Sequence, residues 1–318
     1  MIHLRPSEVY HSLVVFVKAD YPFDDALLDR AARFLKSLEP KWNDHDLADK
    51  LVIRLVHSSD GSTSGFAGSI MTLLSSSHST MIAAALSFLC KTTTRSTPSI
   101  RCRLVESDLI SNVLATVQPH TLTISGNEGI FDNLLKIIVE CLDLSRPWCL
   151  TGLGKIAVVD QLNHREMIFQ KVVLPSSQFV TFLISNRYFL KQDSLGSFMS
   201  LLTTLLDFSP YHRPTLEFVL ASPIEMALSG CLPTIEDKDH LWDSLFYIHL
   251  WLEEWPKEGR KVDKSGKRVM EALFSEGFED TLEQKLMNDK GGIFGRSVDD
   301  KSHFISHSLG ANVKIPEW

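Results

Sequence analysis

The chain has 318 residues, of which 44% are hydrophobic and 22% charged, and its formal net charge is -7 at pH 7. This composition is typical of a globular protein and argues against a disordered chain, a collagen-like fibre or a disulfide scaffold. The acidic balance also argues against a dedicated nucleic-acid-binding protein, which needs positive charge to neutralise phosphates. The five cysteines are irregularly spaced and form no CxxC pair, so we expect reduced thiols in an intracellular protein.

Helical periodicity begins near the N-terminus and continues through most of the chain. Apolar residues between Asp24 and Leu38 recur at spacings of three and four, and Leu47 to Val56 follows the same pattern; both are typical of amphipathic helices. No alternating run bounded by hairpin turns occurs, and no stretch reaches the roughly 18 consecutive apolar residues of a membrane helix. We therefore expect an all-α soluble protein in the cytoplasm, with the nucleus as the alternative location.

Four segments share a pattern that indicates a helical repeat: an apolar stretch, a short break, and an apolar residue that opens the next helix. The predicted opening residues are Leu109, Phe179, Ile224 and Phe278, with Phe66 as an earlier copy. Their spacings are 43, 70, 45 and 54 residues, near the roughly 40 to 47 residues of armadillo and HEAT repeats. The residues that we expect to be buried at these breaks are Leu104, Leu109, Val113, Phe179, Leu183, Ile224, Leu228, Phe278 and Leu282.

The stretch from Met71 to Val117 resembles an armadillo repeat that runs into the next one. Leu73–Ser76 resembles the end of the third helix of a repeat, and Ala83–Leu89 resembles the core helix that follows. Arg103–Ile110 resembles the junction at which one helix ends and a new one begins. In peptide-binding armadillo proteins the position matching Phe88 is often an asparagine, so this chain departs from peptide recognition of the nuclear-transport type.

The resemblance implies an armadillo/HEAT-like α-solenoid over residues 1–288 and a capping or tail segment at residues 289–318. A curved stack of helices offers a long concave surface to other proteins. The implied function is a non-catalytic scaffold or adaptor that binds protein partners and carries no cofactor. A regulatory subunit of an enzymatic partner is the alternative within the same fold.

Motifs of reaction chemistry are incomplete along the chain. Thr151–Lys155 and Ser265–Lys267 contain glycine and lysine, but they lack the first glycine and the final Ser/Thr of a phosphate-binding loop. His303 and His307 have the spacing of a two-histidine metal site, but no HExxH motif accompanies them. No GxSxG motif or kinase signature occurs. We expect no catalytic, cofactor-binding or metal-binding residue; an enzyme with an unrecognised site is the remaining alternative.

The segment His240–Trp255 is the strongest candidate for a partner-binding helix. Its apolar residues lie nearly all round a helical wheel, which indicates burial between two repeats or contact with another protein. Aromatic side chains are frequent hot spots of protein interfaces. The candidate partner-binding residues are Trp242, Phe246, Tyr247, Leu250 and Trp251.

Two further segments leave alternatives open. The basic run Lys257–Arg268 fits a solvated loop, or a patch for nuclear localisation or for an anionic surface. The Ser/Thr-rich stretch Ser58–Thr80 fits an exposed linker, or a linker that is controlled by phosphorylation.

Overall fold

The computed structural model describes residues 39–41, 44–58, 66–76, 78–121, 128–145, 158–186, 192–209 and 212–222, with single residues between positions 33 and 231. The chain divides into two compact units, Met1–Leu183 and Ile184–Trp318. No strand occurs in the described ranges, and the all-α fold class is confirmed for them. The predicted domain boundary between residues 288 and 289 lies outside the described residues.

Helices make up most of the described part of the first unit. Its first helices are α1 (His45–Ser58), α2 (Phe66–Leu74), α3 (Ser79–Arg95), α4 (Pro98–Glu106), α5 (Leu109–Thr121) and α6 (Glu128–Leu142). They are followed by a 3-10 turn (Asp143–Ser145), α7 (Val158–Ile168), a π-helical segment (Phe169–Val173) and α8 (Leu174–Ser185). The last three elements form one continuous helix, because the residues flanking the π segment keep helical backbone angles.

Helices three apart along the chain pack against one another in this unit. α1 contacts α4, α2 contacts α5, and α3 contacts α6, in addition to contacts between sequential neighbours such as α2 and α3. α3 lies deepest, since every residue from Ala84 to Cys90 is buried. The ring of Phe88 packs edge-on against Phe66 of α2, with 5.9 Å between the ring centroids. Full burial of a side chain of this size contributes about 1.5–3 kcal/mol.

The predicted core positions are buried wherever the structure describes them. Residues that are at most 2% exposed include Leu104, Leu109, Val113, Phe179, Leu183 and Ile224. The other three, Leu228, Phe278 and Leu282, lie outside the described residues. Phe66 and Leu109 also begin α2 and α5, as predicted. The prediction that Ser58–Thr80 is an exposed linker is wrong at residues 66–74, where α2 buries its apolar face.

One predicted helix break is wrong. The pattern LPSSQFVTFL predicts a helix that opens at Phe179, whereas α8 runs from Leu174 to Ser185 and contains Phe179 in its interior. The two serines of the pattern remain helical because their hydroxyl groups are satisfied locally. Ser176 donates to the carbonyl of Val173, and Ser177 donates to that of Leu174. Serine hydroxyls that bond to a preceding turn are compatible with a helix.

The proline of this pattern is accommodated by the π segment that precedes it. Proline has no N–H, and in a regular α-helix its ring clashes with the carbonyl four residues earlier. Here the N–H of Leu174 donates to the carbonyl of Phe169, five residues before it, so the helix is wider just ahead of Pro175. A π turn is one of the recognised ways in which a helix absorbs such a disturbance.

Leu162–Ser185 is the one stretch among the described residues that is long and apolar enough to cross a membrane by length and composition. Polar and charged residues such as Arg165 and Lys171 interrupt it, so it contains no uninterrupted apolar run of that length. About half of this stretch faces the protein interior, since 44% of its apolar window is buried. The π segment within it contacts α4, α5 and α6. Packing in a helical core therefore accounts for the buried part of this stretch.

The described part of the second unit contains α9 (Gln192–Phe208) and α10 (Arg213–Ala221), which contact each other. Residues 194–199 and 201–206 of α9 are buried, and the Thr203 and Thr204 hydroxyls donate to carbonyls of the preceding turn. His212 is the N-cap of α10, where its ring accepts a hydrogen bond from the N–H of Thr215. The same ring stacks on Phe208 at the end of α9, with 5.3 Å between centroids.

Candidate functional site

The junction between α4 and α5 is the described region in which charged and polar side chains converge. Asp108 lies in this junction with a φ of 62°, in the left-handed region that few residues other than glycine adopt. Its carbonyl accepts hydrogen bonds from the N–H of Asn112 and the hydroxyl of Ser111. Asp108 thereby ends one helix and begins the next.

Lys171 of the π segment reaches across to this junction. Its Nζ lies 2.7 Å from Oδ1 of Asp108 and donates to the carbonyl oxygen of Glu106 at 2.8 Å. Carbonyl groups at a helix C-terminus carry partial negative charge, so a cation is favourable there. One ammonium group therefore holds both the end of α4 and the residue with the left-handed backbone.

A thiol, a carboxylate and an imidazole meet beside this junction. Cys102 and Glu106 are four residues apart on α4, and the Cys102 thiol donates to Oε1 of Glu106 at 3.5 Å. Nδ1 of His164, on α7, lies 3.8 Å from the Cys102 sulfur. Nε2 of His164 lies 3.1 Å from the carbonyl oxygen of Leu144. A carbonyl can only accept, so Nε2 carries the proton and Nδ1 of the neutral ring is an acceptor.

The electrostatics of this cluster oppose an ionised thiol. Burial, and secondarily the neighbouring Glu106 carboxylate, raise the pKa of the Cys102 thiol to about 12. Burial lowers the pKa of His164 below its usual value, against the opposing effects of the Leu144 carbonyl and Glu106. A nucleophilic cysteine needs a lowered pKa and a positive neighbour. The pair is therefore neutral at pH 7, and the single S–H proton of Cys102 is donated either to Glu106 on its own helix or to Nδ1 of His164 on α7.

Arg101 ties three helices together on the buried side of α4. Its guanidinium forms an ion pair with the carboxylate of Glu140 on α6 and donates to the carbonyl of the same residue at 3.1 Å. Nη2 of the same guanidinium group donates to the carbonyls of Thr94 and Ser96, at 3.3 and 3.0 Å. The side chain is only 9% exposed, so removing one partner would leave a buried group uncompensated.

The start of α1 is joined to the turn between α3 and α4 in a similar way. The carboxylate of Asp49 accepts hydrogen bonds from the N–H and the hydroxyl of Thr97, at 2.8 and 3.0 Å. Thr97 is the N-cap of α4, and its side chain makes no capping hydrogen bond; its N–H and hydroxyl are instead held by Asp49. Nδ1 of His45 lies 2.8 Å from the carbonyl oxygen of Arg95. These contacts link α1 with the end of α3 and with the start of α4.

The contacts described above hold helices of the first unit together. No group of three or more His, Cys, Asp and Glu side chains in the described ranges could hold a metal ion. Cys90, Cys102, Cys141 and Cys231 are free thiols, as the cysteine pattern predicts. Sequence reasoning did not bring Cys102 and His164 together, since only the i, i+4 spacing of Cys102 and Glu106 is visible in the sequence.

The predicted partner-binding residues cannot be placed from the structure. Trp242, Phe246, Tyr247, Leu250 and Trp251 lie outside the described residues, as do the basic run at residues 257–268 and the histidines at positions 303 and 307. Phe88 is fully buried, so in this chain the position belongs to the core. No protein-family model, curated protein or solved structure matches the chain.

Proposed function

We propose that the chain is an armadillo/HEAT-like helical-repeat protein that acts as a non-catalytic scaffold for protein partners. The observation that carries this proposal is the packing of helices three apart: α1 with α4, α2 with α5, and α3 with α6. In a stack of three-helix repeats each helix lies beside its equivalent in the next repeat. On this view α1–α3 is one repeat and α4–α6 the next.

Two other features support the same arrangement. The left-handed backbone of Asp108 separates α4 from α5, and stacked repeats need such breaks between their helices. The hydrogen bonds of Asp49 to Thr97 link the first helices of the two proposed repeats near their starts. Solenoid repeats are stabilised mainly by contacts with their neighbours, and this partly buried polar contact would help to fix their register.

The third proposed repeat differs from the first two. α7, the π segment and α8 form one long helix, and the π segment contacts α4, α5 and α6 together. This accounts for the long spacing of 70 residues between Leu109 and Phe179, because a single helix takes the place of a broken pair. α3 is buried nearly all round, so on this proposal a partner would contact other helices than α3.

The function can be tested with the full chain as bait, followed by cross-linking and mass spectrometry of each complex that survives size-exclusion chromatography. We expect a stoichiometric complex with a protein partner, cross-linked to lysines of both proposed repeats, for example Lys50 of α1 and Lys136 of α6. A chain that stays alone at micromolar concentration and converts a small molecule would contradict the scaffold function. A partner that copurifies with its own catalytic activity would favour the regulatory-subunit alternative.

A further inference from the structure

Two groups of five cationic side chains can be distinguished among the described residues. One group forms ion pairs with carboxylates and comprises Lys91, Arg101, Lys136, Lys171 and Arg213. Within the described ranges, the other group makes no side-chain hydrogen bond or ion pair and comprises Lys36, Lys41, Lys50, Arg54 and Arg103. All five unpaired cations lie on α1, on α4 or in the segment that precedes α1. α1 and α4 pack against each other.

The unpaired cations of α1 form a stripe on its solvent face. Asp46, Lys50, Arg54 and His57 are all exposed, and their spacings of four, four and three residues place them on one side of the helix. Each step is one helical turn, or about 5.4 Å. Arg103 is exposed on α4. Lys50, Arg54 and His57, together with Arg103, are called the basic face below.

We propose that the basic face binds an acidic peptide segment of a protein partner. The proposal rests on the scaffold function, since it names the chemistry of what the scaffold would hold. Five other cations of the described ranges pair with carboxylates, whereas Lys50, Arg54 and Arg103 keep their positive charge in a chain of net charge -7. Complementary charge of this kind directs encounter and selects the partner more than it adds affinity.

A short peptide fits the basic face better than a nucleic acid or an anionic membrane. The cations of α1 span about two helical turns, or roughly 10 Å. Nucleic-acid-binding proteins typically neutralise about six to ten phosphates, which the three permanently charged residues of this face cannot do. An extended polyanion would also meet the acidic remainder of the chain. A short segment with a few carboxylates contacts the basic face alone.

The three side chains would contribute in different ways. The guanidinium groups of Arg54 and Arg103 can each accept a carboxylate in bidentate geometry, which selects for Asp and Glu. Lys50 acts as a point charge. Because all three are exposed, each contact is weak and screened by salt. We therefore expect fast association whose strength falls as the ionic strength rises.

The test uses the full chain and a fluorescein-labelled peptide of alternating glutamate and alanine, with binding measured by fluorescence anisotropy. Reversing two charges of the basic face, Lys50→Glu with Arg54→Glu, should weaken binding about tenfold or more at low salt. The matched control reverses two exposed, ion-paired cations elsewhere, Lys136→Glu with Arg213→Glu, and gives the same net charge. We expect this control to bind within about twofold of the unmodified chain. Circular dichroism of each variant checks that the helices are retained.

Three outcomes would overturn the proposal. The first is equal weakening by both double variants, which would reflect net charge alone. The second is unchanged binding of the peptide by the Lys50→Glu, Arg54→Glu variant. The third is tighter binding of a labelled oligonucleotide or a phosphatidylserine vesicle than of the peptide, if that binding is lost in the Lys50→Glu, Arg54→Glu variant. If a stoichiometric protein complex forms equally with the unmodified chain and this variant, the scaffold function stands and the basic face is not its site.

Discussion

Two segments of the chain have similar sequences and different structures. In LVESDLISNV the helix α4 ends, Asp108 takes a left-handed backbone, and α5 begins at Leu109. In LPSSQFVTFL the helix does not end, and Phe179 lies inside α8. Both segments have polar residues between apolar ones, and both bury the apolar residue after the break pattern.

The difference lies in what satisfies the polar residues. The hydroxyls of Ser176 and Ser177 donate hydrogen bonds to carbonyls of their own helix, whereas the carboxylate of Asp108 forms an ion pair with Lys171 of the π segment. The residue that stabilises the break at Asp108 therefore comes from the long helix in which the second break fails. A helix break in this fold depends on tertiary contacts as well as on local sequence.

Loss of an aromatic side chain inside the unbroken helix should have the largest effect on stability. Phe179 is 1% exposed and stacks against Phe131, with 6.1 Å between centroids. Phe179→Ala should lower the free energy of unfolding by about 3–5 kcal/mol, and Leu109→Ala at the true break by about 2–5 kcal/mol. Urea denaturation measures both.

Leu174→Ala is the control for both core variants, because Leu174 is 52% exposed on the same helix as Phe179. Its effect should stay within about 0.5 kcal/mol. A loss at Leu174 as large as that at Phe179 would show that burial does not distinguish the two positions.

Substitutions of Asp108 should separate backbone strain from the ion pair. Asp108→Ala places an alanine at a φ of 62° and removes the contact with Lys171, so we expect a loss of about 1–2 kcal/mol. Asp108→Gly removes the same contact but has no strain at this φ, so its effect should be within about 0.5 kcal/mol. Thermal unfolding of the two variants side by side gives the difference. Equal losses would mean that the left-handed backbone is not what makes this position sensitive.

The helices and much of the core could be predicted from sequence because they depend on local periodicity. Leu47 to Val56 predicts α1, and the break before Leu109 is where the sequence pattern places it. The failure at Phe179 has a physical cause: the pattern contains no information about the π turn ahead of Pro175. The cluster around Cys102 and His164 could not be predicted either, since its members come from helices 62 residues apart.

The same cluster predicts a pH dependence with a definite sign. Burial lowers the pKa of His164 in the folded chain below the value of about 6.5 that it has when unfolded. Above pH 6.5 the ring is neutral in both states and contributes no pH dependence. As the pH falls below 6.5 the unfolded chain takes up the proton first, so the free energy of unfolding decreases toward the lower pKa of the folded state.

The comparison variant for this dependence is His164→Gln, whose amide N–H can still donate to the carbonyl of Leu144 and which does not titrate. Urea denaturation of both proteins between about pH 7.5 and pH 5 isolates the contribution of residue 164, because the other titrating groups are shared. We expect the unmodified chain to lose stability relative to the variant as the pH is lowered. A constant difference across this range would show that His164 has the same pKa in both states.

The smallest effect is expected where the predicted break failed. Ser176→Ala and Ser177→Ala remove hydroxyls that bond only to carbonyls of their own helix, and alanine has the higher helix propensity. The double variant should change the free energy of unfolding by no more than about 0.5 kcal/mol, with the far-ultraviolet circular dichroism unchanged. If the serines instead marked a helix end, their loss would remove a cap and cost about 1 kcal/mol. A decrease of that size in the free energy of unfolding would be evidence for a helix break before Phe179. A neutral result would support one continuous helix from which Lys171 reaches Asp108.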